Sequence, residues 1–441
     1  MMKRGSVDEV IYFIGIGGIG VSALAKYYLS TGAKVSGSDL VSSENTDELK
    51  KLGVAIRIGK QARKNLPKDV TFLIYTAATP RDNPELQEVR RRKLKVQSYP
   101  EAIGDLTKRY KTITVSGAHG KSTTTALAAL VLEEGYFDPT VIVGTRVKEF
   151  GNSNFRLGRG SHLVLEADEW NKSFLKYAPQ IAIVTNIDAE HLDTYKTVDA
   201  VERAFAEYLG KVPAEGAIIA NRDDRRLAKI ARKFGKKVIW YSRGDEEAGA
   251  MRHFLRVPGE HNVVNALAAL RLGQVLGIQS PSIWRAVSRF SGTWRRFEFK
   301  GISKGAFIFT DYGHHPSEIQ ATLSAARERF PFRRIWCVYQ PHQYQRLAYL
   351  WDDFIGAFDM ADRVCLLPVY DVVGRETKTA KSRVSSEKLA HAIASRGKDV
   401  YYHTSFAQAK SFIDSKIRPG DILLIMGAGD IYQLTNQITA H

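Results

Sequence analysis

The chain has 441 residues, 44% of them hydrophobic and 25% charged, a composition that excludes a disordered chain and is spread over too great a length for one ordinary core. Apolar runs are short and glycine-broken, which excludes a helical membrane span, so two or three α/β domains are expected. The formal net charge of +17 attracts anions such as nucleotides, sugar diphosphates or nucleic acid without choosing among them.

Val10 to Ile14 reads as a buried strand running directly into Gly15-Ile-Gly17-Gly18-Ile-Gly20, which opens a helix through Ala23, Leu24 and Tyr27 to Gly32. A second strand, Lys34 to Asp39, ends on a carboxylate about twenty residues later. This is a full G-x-G-x-x-G fingerprint, in which glycines let a diphosphate approach the N-terminus of a helix. The physics selects a diphosphate and does not require nicotinamide. A further strand, Val70 to Tyr75, is followed by Thr76-Ala77-Ala78. Arg90-Arg91-Arg92-Lys93 reads as the solvated face of a charged helix after Pro84.

The stretch around which the chain is organised follows. Thr112 to Ser116 is a β-branched run that breaks into Gly117-Ala118-His119-Gly120-Lys121-Ser122-Thr123, and a helix continues to Glu134-Gly135. Free N–H groups at a helix start, joined by a lysine, hold phosphate oxygens, and the hydroxyl of Ser122 suits magnesium. The loop is short, since the first glycine of the common phosphate-loop pattern would fall at Val115. Two later apolar strands end in oxygen ligands or imidazole: Ser161 to Glu169, with Glu166, and Ile181 to Tyr195, with Asp188 and His191. Strand ends are where an open parallel sheet places its chemistry, and magnesium takes one or two carboxylates beside phosphate oxygens. Glu169, Asp188 and Asp193 are left between supporting and solvated roles.

Further on come Gly259-Glu-His261-Asn262-Val-Val-Asn265-Ala266, with Asn262 either a base contact or a helix cap, and Arg295-Arg296-Phe297 in a linker. A last doubly wound domain carries Asp311-Tyr312-Gly313-His314-His315-Pro316 and Tyr339-Gln340-Pro-His342-Gln343-Tyr344-Gln-Arg346. No third ligand follows the paired histidines at regular spacing, so no zinc site is expected there. Cys337 and Cys365 fall in predicted strands and read as buried apolar fillers.

In this order the motifs resemble those of the Mur ligases, the ATP-dependent amide-bond formers of peptidoglycan synthesis. The loop S-G-A-H-G-K-S-T-T is similar to the family's G-T-x-G-K-T-T, with Ala118 and Ser122 in place of threonines, and N-I-D-A-E-H-L-D-T-Y, G-E-H-N-V-V-N-A, R-R-F, D-Y-G-H-H-P and Y-Q-P-H-Q-Y-Q-R follow. The match falters at Arg243 to Arg252, where the family has a strand-rich segment, and at Gln343, where an arginine is common.

The resemblance implies three domains: a Rossmann-like UDP-sugar domain over 1–108, a central P-loop ATPase-type parallel-sheet domain over 109–293 and a Rossmann-like amino-acid domain over 294–441. It implies UDP-sugar binding by Gly15, Gly17, Gly18, Gly20, Asp39 and Thr76. ATP binding falls to Gly117, Ala118, His119, Gly120, Lys121, Ser122, Thr123, Asn262, Arg296 and Asp311. Magnesium would sit on Ser122, Glu166 and His191, the amino acid on His314, His342, Tyr344 and Arg346, and catalysis on Lys121, Glu166, His191, Arg296 and His342.

Within the family the boxes are nearest to members that add L-alanine to the carboxylate of UDP-N-acetylmuramate through an acyl phosphate. Alternatives are tripeptide reattachment in peptidoglycan recycling and a catalytically impaired nucleotide-binding homologue. ATP and Mg²⁺ are the cofactors implied. No nucleic-acid or membrane partner is expected, and the protein would be a monomer or homodimer. The first ten residues lack the layout of a secretory signal, so a cytoplasmic location is expected.

Overall fold

A computed structural model of the protein describes residues 9–188, 192–371 and 378–439. Three sheets account for its architecture. The first contains β1 (Val10–Ile14), β2 (Lys34–Asp39), β3 (Ala55–Ile58), β4 (Phe72–Tyr75) and β5 (Lys95–Ser98), all parallel, in the order β3-β2-β1-β4-β5. The strand order reverses direction at β1, and this switch point is where an open parallel sheet opens a crevice beyond its carboxyl ends. The glycine loop lies there, followed by α1 (Ile19–Ser30).

The second sheet contains β6 (Lys111–Ser116), β7 (Thr140–Val147), β8 (Ser153–Arg156), β9 (His162–Glu166), β10 (Ile181–Val184), β11 (Ala217–Asn221) and β12 (Val238–Tyr241). Their order is β12-β11-β10-β6-β9-β7-β8, parallel throughout except for the β7–β8 hairpin at one edge. The phosphate-loop strand β6 is thus flanked by β9 and β10, the strands that end near Glu166 and Asp188. The third sheet contains β13 (Glu298–Ser303), β14 (Ala306–Asp311), β15 (Ile335–Tyr339), β16 (Arg363–Leu366), β17 (Asp399–Tyr402) and β18 (Ile422–Met426). Its order is β13-β14-β18-β15-β16-β17, with β13 antiparallel.

The chain divides into two compact units, one of residues 1–254 and 263–291, the other of 255–262 and 292–441. The first unit therefore holds two sheets, and residues of both contribute to one hydrophobic core, among them Ile11, Phe13 and Leu24 from the first and Phe155, Leu163 and Val184 from the second. The segment 255–262, assigned from sequence to the central domain, packs with the second unit instead. Arg243 to Arg252, where the motif match falters, holds no strand and runs into the helix Ala248–Phe254. Cys337 and Cys365 are fully buried on adjacent strands, and burial pushes both thiols up, Cys365 to about 12, as expected of apolar fillers. No helix among the described residues is long and apolar enough to cross a membrane.

Candidate active site

In the first sheet the loop after β1 is held from several directions. Gly15, in the left-handed region at φ +75°, donates its N–H to Ser38 O (2.8 Å), and a Cβ there would lie 2.5 Å from Thr76 Cγ2. Gly17 donates to Asp39 Oδ2 (2.8 Å), while its carbonyl accepts from Asn45 Nδ2 (2.9 Å). Asp39 thus fastens the loop. Ser22 is the residue whose N–H reaches back to Gly18 O, so the N–H groups of Ile19, Gly20 and Val21 form the orphan first turn that suits an anion. Beside Gly20 stands Tyr99, the first residue of a helix ending at Thr107; a Cβ on Gly20 would come 2.6 Å from its hydroxyl.

In the second sheet β6 gives way to a loop with Gly117 at φ +131° and Gly120 at φ +82°, and then to a helix, Lys121–Glu134. His119 N–H donates to Asn186 Oδ1 (2.9 Å), and His119 O accepts from Thr185 Oγ1 (2.6 Å) and Asn186 Nδ2 (3.0 Å). The strand end carrying Thr185-Asn186 therefore shapes the loop. Lys121 folds back, its ammonium donating to Gly117 O (2.6 Å), Ala118 O (3.2 Å) and both oxygens of Glu169 (3.1 Å each). Ser122 Oγ donates to Glu166 Oε1 (3.0 Å), and Gly144 N–H donates to Glu166 Oε2 (2.7 Å). Burial raises the Glu166 carboxyl above the ordinary range, against the pull of Lys121, Gly144 and Ser122.

The structure thus brings Gly117 to Thr123 together with Glu166 as the sequence suggested. Thr123 is buried in the first turn of its helix. Glu169 is 2% exposed and bonded to Lys121, so it supports the loop and is not a solvated carboxylate. Asp188 meets His119 Nε2 at 3.3 Å. His191 lies outside the described residues. Four residues to which the sequence assigns no role also shape the two glycine loops. They are Gly144, Asn186, Tyr99 and Asn265, whose Oδ1 would stand 2.4 Å from a Cβ on Gly120.

These approaches predict a measurable asymmetry between glycines. A Cβ at Gly117 would sit 2.2 Å from Thr185 Oγ1, whereas at Gly151, φ +72°, it would meet nothing within 4 Å. Gly117→Ala is expected to lower stability by about 1–3 kcal/mol and nucleotide affinity at least roughly tenfold, since the displaced loop presents its N–H groups wrongly. Gly151→Ala carries the backbone strain alone, about 1–2 kcal/mol, and should leave nucleotide binding intact. Thermal melts and nucleotide titration of the two variants separate clash from strain.

In the second unit, Arg295 is 3% exposed at φ 55°. Its guanidinium faces the rings of Tyr312 and Tyr432, each 5.1 Å away, and donates to the carbonyls of Gly427 and Gly429. It ties the linker to the end of β18 and leaves Arg296 as the arginine 3.2 Å from Glu318 Oε1. Asp311 accepts from the N–H groups of Phe297 and Gly313, 2.7 Å each, so both its oxygens order backbone. Burial pushes its carboxyl up. Glu318 Oε2 accepts from His314 N–H (3.0 Å), and His315 caps the helix Pro316–Arg329.

The imidazole of His342 stacks on Tyr370 (5.4 Å, 9°), lies 5.9 Å from that of His314, and has Arg346 Nη1 3.4 Å from its Nδ1. Tyr344 opens the short helix that also carries Arg346. His314 follows β14 whereas His342, Tyr344 and Arg346 follow β15, and the His314–His342 contact brings the two loops together. Asn262 corrects an expectation. It is the third residue of the helix Glu260–Val275, and its side chain donates to Pro258 O (2.6 Å). A cap would accept from a backbone N–H at the helix start; Asn262 instead anchors the preceding turn.

Comparison with known proteins places this geometry. Three family models match in series: "Mur ligase family, catalytic domain" over 10–111, "Mur ligase middle domain" over 115–273 and "Mur ligase, glutamate ligase domain" over 295–429. Proteins named UDP-N-acetylmuramate–L-alanine ligase from Clostridium acetobutylicum and Clostridium kluyveri are each 38% identical. The alignments cover 98% and 97% of this chain, and 97% of each relative.

The chain belongs to the Mur ligase family.

Among solved structures, a UDP-N-acetylmuramate–alanine ligase from Thermotoga maritima superposes with a TM-score of 0.82 at 27% identity, covering 97% of this chain and 98% of that one. A murein peptide ligase from Psychrobacter arcticus shares the fold, with a TM-score of 0.72 at 21% identity and 98% coverage of both chains. As a Mur ligase, the chain carries the family's three domains in order. In its phosphate loop Ala118 offers no side-chain donor, while Ser122 offers a hydroxyl and directs it at Glu166.

Proposed function

We propose that this Mur ligase joins L-alanine to the lactyl carboxylate of UDP-N-acetylmuramate at the expense of ATP, in the cytoplasm, as a step of peptidoglycan synthesis. The observation that carries the reading is the Lys121 loop with Ser122 and Glu166 paired at 3.0 Å, in a chain colinear with alanine ligases over nearly its full length.

The donor set fits magnesium, because a carboxylate and a hydroxyl that already meet are hard oxygen ligands, and Gly144 N–H orients the second carboxylate oxygen. When bound, magnesium supplies positive charge to the phosphate oxygens. The N–H groups at the start of the Lys121–Glu134 helix hold the triphosphate, and Lys121 spreads charge on its γ-phosphoryl group. A lactyl carboxylate oxygen forms a bond to the γ-phosphorus as the bond to the bridging oxygen breaks and ADP leaves. The neutral amine of alanine then attacks the acyl phosphate carbon, inorganic phosphate departs with the C–O electron pair, and the amine loses its proton. Neither step needs a covalent enzyme nucleophile, so positioned charge carries the rate. Gly15 to Gly20, Asp39 and Thr76 serve the sugar nucleotide. In the second unit Arg296 serves the nucleotide, with Asp311 ordering the backbone at Phe297 and Gly313 and Asn262 facing the base, and His314, His342, Tyr344 and Arg346 serve the amino acid.

Phosphate release is expected to require UDP-N-acetylmuramate and L-alanine together. A coupled phosphate assay offering alanine, serine, glycine and the tripeptide checks this. Release indifferent to the sugar nucleotide would overturn the reading, and a preference for the tripeptide would move it to reattachment.

A further inference from the structure

The hairpin at the edge of the second sheet does more than close that sheet. On β7, Gly144 holds Glu166 through its N–H (2.7 Å). Two residues on, Arg146 is 11% exposed, and its Nη2 donates to Asn45 Oδ1 (3.0 Å) at the start of the helix Glu44–Lys51 of the first sheet. Asn45 Nδ2 in turn donates to Gly17 O (2.9 Å). On β8, Asn154 is fully buried, and its Nδ2 donates to Ile19 O (2.6 Å) and Ser22 Oγ (2.9 Å), both in the first turn of α1. Its Oδ1 accepts from Lys26 Nζ (2.7 Å), an ammonium 4% exposed that is paired with Glu48 (2.5 Å).

Two polar side chains of the second sheet thus grip the glycine loop of the first and the helix behind it. The two peptides flanking Gly17 are each fixed, one through the Gly17 N–H on Asp39 and the other through the Gly17 carbonyl on Asn45. Buried polar links of this kind are satisfied only in one register, so the loop's remaining N–H groups are aimed before a ligand arrives. Pre-aiming lowers the ordering cost of binding.

We propose that Arg146, Asn45 and Asn154 are positioning residues that preset the glycine loop for the sugar nucleotide, so that the strand orienting Glu166 also sets affinity at the other sheet. The inference deepens the ligase reading and rests on it for the identity of the ligand.

Asn45→Ala is the decisive variant, because Asn45 is half-buried and its loss removes one link without emptying the core. Calorimetry with UDP-N-acetylmuramate should show Kd raised about fivefold to tenfold, the range one hydrogen bond spans. KM for the sugar nucleotide should follow, with kcat at saturation and the affinity for a non-hydrolysable Mg²⁺–ATP analogue both within about twofold. Arg146→Gln should raise Kd at least as much, since it also loses pairs with Glu44 (3.6 Å) and Glu48 (3.4 Å), and the double variant no more than Arg146→Gln alone, because the Asn45 link runs through Arg146. Amide exchange over Gly15 to Gly20 in the ligand-free protein should quicken in all three. Sugar-nucleotide affinity within twofold and unchanged loop exchange in Asn45→Ala would sink the proposal, as would additive losses or an equal loss of affinity for both nucleotides. A parent protein that fails to bind UDP-N-acetylmuramate refutes the ligase reading alone, and the exchange measurement then still decides whether these residues hold the loop.

Discussion

Lys121→Ala is expected to reduce phosphate release at least about a thousandfold while leaving the affinity for UDP-N-acetylmuramate within about twofold. The reason is positional. The ammonium sits among the carbonyls of Gly117 and Ala118 and the carboxylate of Glu169, whereas the glycine loop of the first sheet is built from Gly15, Gly17, Asp39 and Asn45. An ammonium already withdrawn from water and held in the loop costs little to redirect onto phosphate oxygens, which favours charge stabilisation in the transition state.

The same variant carries a stability signature. Glu169 is 2% exposed, and taking away the lysine it pairs with is expected to destabilise the fold by about 3 kcal/mol, the low end for a broken buried pair, as Lys121 keeps some contact with water. Lys121→Ala with Glu169→Gln should therefore recover most of the melting temperature and none of the turnover. Recovery of turnover in the double variant would show that Lys121 acts only by neutralising Glu169, and the phosphate-binding role would have to be abandoned.

What could be read without coordinates follows from how local each signal is. The two phosphate loops are written in consecutive residues, because glycines at Gly15, Gly117 and Gly120 answer to backbone geometry that neighbouring residues dictate. The strand that ends on Glu166 and the one that ends four residues before Asp188 were legible for the same reason, as short β-rich runs bounded by polar residues. Glu169 was not, because whether a carboxylate after a strand faces water or a lysine 48 positions earlier depends on tertiary packing. Gly144, Asn186 and Asn265 gained no role from sequence, since Gly144 and Asn186 meet their partners across the sheet and Asn265 meets the Gly120 loop from a distant helix. Asn262 misled because a polar residue at a predicted helix start resembles a cap, while the actual helix begins two residues earlier, at Glu260. The segment 255–262 shows the same limit at the level of domains, since sequence order places it beside the central sheet and packing assigns it to the second unit.

Glu166 offers the sharpest test of the magnesium assignment, because metal binding and folding pull its proton in opposite directions. Burial raises its carboxyl above the unfolded value, and Lys121, Gly144 N–H and Ser122 offset that only in part. A carboxyl raised on folding favours the protonated fold. Its contribution is complete below the unfolded value and is lost as pH rises through the folded one. Without metal, then, the protein should lose part of its stability through Glu166 as pH climbs towards neutrality. Magnesium binds the carboxylate form and should restore stability increasingly over that same window. Glu166→Gln cannot titrate. It should melt at or above the parent at neutral pH without metal, show a flatter pH dependence, gain little from Mg²⁺–nucleotide, and turn over about 100- to 1,000-fold more slowly. Melting curves from pH 5 to 8 with and without magnesium check each part. A variant that melts lower than the parent and still responds fully to magnesium would mean that Glu166 is a structural acceptor for Ser122 and Gly144, and that the metal is held by other oxygens.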